Sequence, residues 1–331
     1  MNNFLEPKVT KNYKDEIRHI GFELEFANID IEDVLSILEE KFGFSVKKVN
    51  NYLFKIISKY GDFTLELDFE LLTQQKIKKN AKSLSKKVGI NIKEKDIENI
   101  EKLIGELSKD IVPYEISTPP LPLDEVAIID RIIKELAKNN AKGTKHKIYY
   151  AFGLHINVEV ISLDVESLLD YTKAYLILQN YINKDAKIDL ARKITPFIDN
   201  FKNDYIKHVL DDSYKPTIDE FIEDYLKFNA TRNRSLDLLP ILAFINEDKV
   251  RAHLPKEKIK PRPAFHYRLS NSMIGNEGWE VAEEWNRWIL VENLANDKES
   301  LSFLAKEYLT HLDNIINLTT WHGKVESWLN H

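Results

Sequence analysis

The sequence predicts an α+β fold, with helices packed on the apolar face of a mainly antiparallel sheet. Three observations carry this. Five short segments alternate apolar and polar residues with the period of two that a half-buried strand requires. Longer stretches between them place apolar residues at steps of three and four, as a helix does. The two kinds of segment interleave along all 331 residues, with no repeat of fixed period, and we read 1–331 as one domain.

Gly21-Phe-Glu-Leu-Glu-Phe26 is the first strand: Phe22, Leu24 and Phe26 share one face, Glu23 and Glu25 the other. Asp30 stands where a helix cap belongs. Val34, Leu35, Leu38 and Phe42 make that helix's apolar stripe, and Gly43 stops it. Phe44–Val46 and Leu53–Ile57 are strand-like, and Tyr60-Gly-Asp62 is turn chemistry leading into the strand Phe63–Phe69. Residues 75–110 are Lys-rich and helical in pattern. Their basic run Lys76–Lys79 reads as a solvated helix face, because acidic residues return later in the segment.

Pro113 precedes the strand Tyr114–Ser117, and Pro119-Pro120 must end it, since proline cannot donate to a ladder. A helix follows over about Leu123–Ala137, then a loop or hairpin arm over Ala141–Tyr150 and the strand Gly153–Val158. From Asp164 to about Phe244 the pattern is almost wholly helical, a helical insertion at about 164–250 between two strands of the sheet. The basic, Pro-punctuated stretch Lys258–Pro263 feeds a last strand, Phe265–Leu269. A C-terminal helical segment at about 276–331 carries Trp279, Trp285 and Trp288 at largely helical spacing, read as core or interface.

Composition narrows the function. Apolar residues are 43% and charged residues 30%, an ordinary globular balance. The net charge of −6, with Lys and acidic residues interleaved, gives no basic stripe for nucleic acid. Zero cysteines exclude disulfides, thiolate metal sites and a cysteine nucleophile. Met1–Ile20 lacks the apolar centre of a signal peptide, and no run is long enough to span a bilayer, so the expected location is cytoplasmic, without membrane partners.

The polar faces of the strands carry the chemistry. They pair Glu23 with Glu25, Glu66 with Asp68, Glu115 with Ser117, His155 with Asn157, and His266 with Arg268. A merely wet face mixes Lys, Thr, Ser and Glu, whereas these faces hold no Lys. Carboxylates and imidazoles bind divalent metal, and arginine clamps phosphate or carboxylate in a planar fork. The other histidines, from His19 to His331, read as surface or packed residues.

GFELEF, YEISTPPL, GLHINV and the F-H-Y-R strand, in that order over residues 21 to about 270, resemble the carboxylate–amine ligases related to glutamine synthetase and glutamate–cysteine ligase. More narrowly they resemble the putative amidoligase family, as does Asn233-Arg-Ser-Leu-Asp-Leu-Leu-Pro240. The resemblance implies a curved antiparallel sheet forming a funnel, covered by helices, with Mg²⁺ or Mn²⁺ held inside it. It implies Glu23, Glu25, Glu115 and His155 as metal ligands and Arg268 beside the transferred phosphate. Relatives often have Glu where this chain has His266. That imidazole can bind Mn²⁺ but lacks a charge, which leaves the choice between Mg²⁺ and Mn²⁺ open there. Arg262, Asn157 and Arg234 are the further candidates for nucleotide binding, and Glu66 or Asp68 for the base. The implied activity joins a small-molecule, peptide or protein carboxylate to an amine, using ATP. A catalytically weak nucleotide- and metal-binding module and a metal-dependent hydrolase are the alternatives.

Overall fold

The computed structural model describes residues 3–67, 114–143, 152–186, 199–313 and 320–330. Within them the chain runs β1 (His19–Phe26), α1 (Ile31–Phe42), β2 (Ser45–Lys48), β3 (Leu53–Ser58), β4 (Gly61–Leu67), β5 (Tyr114–Ser117) and β6 (Leu121–Pro122). It continues through α2 (Ile128–Lys138), β7 (Leu154–Glu159), α3 (Val165–Asp185), α4 (Asn203–Leu210), α5 (Ile218–Phe228) and β8 (Leu236–Asp237). The last elements are α6 (Leu239–Ile245), α7 (Glu247–His253), β9 (Ala264–Tyr267), α8 (Val281–Ala295), α9 (Lys298–Asp313) and α10 (Thr320–Leu329).

The strands form one unclosed sheet in the order β2-β3-β4-β5-β1-β7-β9-β8, with β6 also pairing β1. Every pairing between these strands is antiparallel. The fold is the expected α+β arrangement of an antiparallel sheet covered by helices. In β1 the alternation is strict: Ile20, Phe22, Leu24 and Phe26 are buried, and the residues between them are not. Gly43 ends α1 in the left-handed region at φ 69°, as its sequence position predicts, whereas the Asp30 side chain makes no capping hydrogen bond.

Trp285 and Trp288 of the tryptophan stripe are core, whereas Trp279 lies ahead of α8 and is half-buried. Tyr171 on α3 stacks on Phe265 of β9 at 5.2 Å between ring centroids, and Trp288 on α8 sits 5.8 Å from Phe265 and 5.5 Å from Tyr267. Buried apolar residues from Ile20 to Val325 form one connected cluster. Within the stretch expected to be helical, Leu236–Asp237 leaves the helical pattern and pairs with β9 as an edge strand. Two residues are too few to show a period, so the leucines on either side read as one helical stripe. The Lys-rich segment 75–110 and most of Ala141–Tyr150 lie outside the described residues.

A buried ion pair fastens β1 to the last helices. Arg18, wholly buried, donates to Glu292 of α8 from both terminal nitrogens, at 2.6 and 2.9 Å. Its remaining donors reach the carbonyls of Val9 (2.8 Å) and Glu159 (3.1 Å), and Trp288 Nε1 donates to Glu292 at 2.7 Å. With the ions this well satisfied, removing one strands the other in the interior, at a cost of about 3–5 kcal/mol. We predict that loss for Arg18→Met in urea denaturation, and a smaller one for Arg18→Met combined with Glu292→Met, which leaves no orphan charge. Arg18→Met at wild-type stability would refute this account of the pair.

Candidate active site

The polar face of the sheet centres on Glu23. Its register partners are Ser117 on β5 and His155 on β7, while Asn157 on β7 pairs with His266 on β9 and His266 with Asp237 on β8. Residues directly opposite across an antiparallel pair share a face. Three strands therefore bring together side chains that lie 243 positions apart in the chain, from Glu23 to His266.

Glu23 accepts from Asn157 Nδ2 at 2.8 Å on one oxygen and meets His155 Nδ1 at 3.1 Å on the other. His266 Nε2 lies 3.7 Å from that second oxygen, and the two imidazoles cross edge to face at 5.3 Å. Arg262 donates twice to Asn157 Oδ1, at 3.0 and 2.5 Å, and stands 3.9 Å from Glu23. Arg268 follows β9, lies mostly buried, and donates to the Arg232 carbonyl. Glu23, His155 and His266 thus offer one carboxylate oxygen and two ring nitrogens within 4.8 Å of one another.

This donor set fits a divalent metal. Two imidazoles and a carboxylate suit Mn²⁺, Fe²⁺ or Zn²⁺, and an all-oxygen ion such as Mg²⁺ less well. His266 Nε2 is buried without a hydrogen-bond partner, an orphan that a cation would satisfy. Ligating histidine must be neutral. Burial pushes His155 down to about 3, and nearby Arg268 and His266 add to that against the opposing hydrogen bond with Glu23. Burial would raise Glu23, but its contacts with the two imidazoles hold the carboxyl well below the usual range. Burial also lowers the pKa of Arg262, opposed chiefly by Glu23.

A second row crosses the sheet beside this cluster. Glu25 pairs with Glu115, and Glu115 with Glu66, so three carboxylates lie side by side on adjacent strands. Glu25 accepts from Gly153 N at 2.7 Å and Glu115 from Ser117 Oγ at 3.0 Å, while Glu66 is exposed. Like charges directly opposite repel unless positive charge stands near them.

The structure therefore gathers Glu23, His155, Asn157, Arg262 and His266 into direct contact, with Arg268 beside them and Glu25, Glu115 and Glu66 in the next row. Asp68 lies outside the described residues. Arg234 is engaged elsewhere: its guanidinium donates to Asn229 Oδ1 and the Asn200 carbonyl, both at 2.9 Å, and sits 5.7 Å over the Phe201 ring. His155 and His266 are also more enclosed than a hydrated funnel implies, at 8% and 3% exposed. Sequence reasoning passed over Asp237, buried beside His266. The signal was an acid inside the apolar run Leu236–Leu239, a stretch counted with the helical insertion.

Acids, imidazoles and arginines thus converge on one face of an antiparallel sheet, the residue types that bind cations and clamp anionic oxygens. The chain belongs to the family described as "Putative amidoligase enzyme", whose model matches residues 16–290, a span that contains the whole site. That membership supports an enzyme of the ligase type. Comparison with curated proteins finds no match. Among the described residues no helix is long and apolar enough to cross a membrane.

The buried imidazole makes a pH prediction for the metal-free protein. Unfolded, His155 takes up a proton near pH 6.5; folded, it does so only near 3. The unfolded chain binds more protons between those values, so stability is lost as pH falls from about 6.5 towards about 3. Glu23, depressed in the folded state, adds to the loss at the acid end. We predict that His155→Asn flattens the upper part of this dependence in urea denaturation at stepped pH. An unchanged slope would show that His155 is not held neutral.

Proposed function

We propose that the protein is an ATP-dependent carboxylate–amine ligase that works through an acyl-phosphate. The observation that carries the reading is the meeting of Glu23, His155 and His266 with Arg262 and Arg268 on one sheet face, in a chain of this family. Joining a carboxylate to an amine in water is uphill, so the carboxylate must first be activated. One of its oxygens attacks the γ-phosphorus of ATP, the bond to ADP breaks, and a mixed anhydride remains. An amine then attacks the acyl carbon, loses a proton, and phosphate leaves.

Every reactant in the first step is an anion, and catalysis of phosphoryl transfer is mostly positioning and charge neutralisation. Glu23, His155 and His266, with Glu25 and Glu115 in the adjoining row, would hold a divalent cation, whose positive charge would offset that of the phosphates when it is bound. Arg268 and Arg262 add fixed guanidinium charge where negative charge develops. Asn157 holds Arg262 and Glu23 together through opposite ends of its amide, so the arginine's position follows that of the ligand carboxylate. Glu66, exposed on β4, is the candidate to take the amine's proton. The donors of Arg234 are engaged away from the cluster, so the phosphate contacts in this reading rest on Arg262 and Arg268. The partners are small-molecule, peptide or protein carboxylates and amines, in the cytoplasm.

Hydroxylamine tests the scheme, because a small strong nucleophile intercepts an acyl-phosphate as a hydroxamate. We predict hydroxamate only when ATP, Mn²⁺ or Mg²⁺ and a carboxylate are all present. Arg268→Lys should make about 10²–10³-fold less, as an ammonium keeps the charge but loses the planar two-pronged contact. The loss should fall on turnover more than on KM. Hydroxamate formed equally well without ATP would replace this reading with a metal-dependent hydrolase.

A further inference from the structure

We propose that Asp237 is a positioning residue that holds His266 as a metal ligand, fixing which ring nitrogen carries the proton and which faces the cation. The inference rests on the metal-binding part of the reading above and assigns a residue outside that donor set.

Asp237 is 1% exposed and His266 3%, and the two are register partners on β8 and β9. One carboxylate oxygen of Asp237 is fixed by the Leu239 backbone N–H at 3.0 Å, where the chain turns from β8 into α6. This turn points the other oxygen at His266 Nδ1, 3.4 Å away. A carboxylate on that side draws the ring proton to Nδ1 and leaves the lone pair on Nε2. That nitrogen is buried, has no hydrogen-bond partner, and faces the Glu23 oxygen that also meets His155. A ring nitrogen so placed, with Asp237 on the far side of the ring, is positioned to donate its lone pair to a cation lying between it and Glu23.

The arrangement also answers the charge that His266 lacks. An imidazole brings no negative charge to the cation, but Asp237 stands directly behind it and makes the ring more electron-rich. Arg262, the arginine that faces Glu23, feels the charge of Asp237 as well. The short strand β8 thus has a purpose its length conceals: it brings one acid to the edge of the sheet, level with the second imidazole.

Mn²⁺ binding to the metal-free protein, followed calorimetrically without nucleotide, tests the proposal, together with nitrogen NMR of histidine-labelled protein to read the His266 tautomer. We expect His266 to carry its proton on Nδ1 in the wild type. Asp237→Asn should weaken Mn²⁺ binding about 10–100-fold and shift the tautomer, since an amide can present N–H to the ring. A proton on Nε2 in the metal-free wild type would overturn the proposal without any variant. So would a folded Asp237→Asn protein that binds Mn²⁺ within twofold of wild type. Because neither measurement uses ATP, a positive result here with no ATP-dependent hydroxamate would sink the ligase reading and leave Asp237 in its role.

Discussion

A half-buried carboxylate needs donors in place of the water it has lost, and Glu23 is the carboxylate around which this sheet is arranged. Asn157 donates to one oxygen and His155 meets the other; Arg262 stands behind Asn157, and His266 waits just beyond hydrogen-bond reach. His155 and Asn157 share β7 and His266 lies on β9, so these three owe their places to strand register, while Arg262 reaches the cluster from the loop before β9. A slip of one residue in β7 would turn His155 and Asn157 to the apolar side and leave Glu23 without its donors. The register that buries Phe22 and Leu24 is thus the same constraint that assembles the site.

The two faces of the sheet do different work but are equally enclosed at its β9 end. Phe265 and Tyr267 pack into the aromatic cluster of α3 and α8, while His266 on the other face is as buried as they are. Enclosure strengthens every charge interaction there, because fewer waters compete for the ions. Towards β4 the face opens and Glu66 is exposed. The face therefore grades from a dry pair of imidazoles to a wet carboxylate, a gradient that suits holding a cation at one end and exchanging protons with solvent at the other.

How much of this was legible depends on how local each signal is. The β1 strand declared itself, since strict alternation over Phe22–Phe26 is a local pattern and its two faces are correctly divided. His155, Asn157 and His266 could be placed on polar faces for the same reason. Their meeting at Glu23 could be expected only from the family resemblance, because the order β1-β7-β9 is a property of the folded sheet. Asp237 was lost for the opposite reason: its strand is two residues long and sits among leucines that mimic a helix. The Arg18–Glu292 pair left no trace at all, as a buried ion pair between distant residues has no pattern at either end.

That pair also bears on how the chain is made. Arg18 and Glu292 are separated by 274 positions, so at a synthesis rate of about 5–20 residues per second the strand beside Arg18 waits roughly 14–55 s for its fastening. For roughly the first third of that interval β1 is an extended, aromatic-rich segment without either neighbour, β5 or β7, the kind of edge that recruits strands from other chains. Glu23 and Glu25 interrupt its apolar residues at every second position, and two like charges on a nascent strand discourage pairing with another copy of itself. The acids that gather partners in the finished protein keep strangers off the unfinished one.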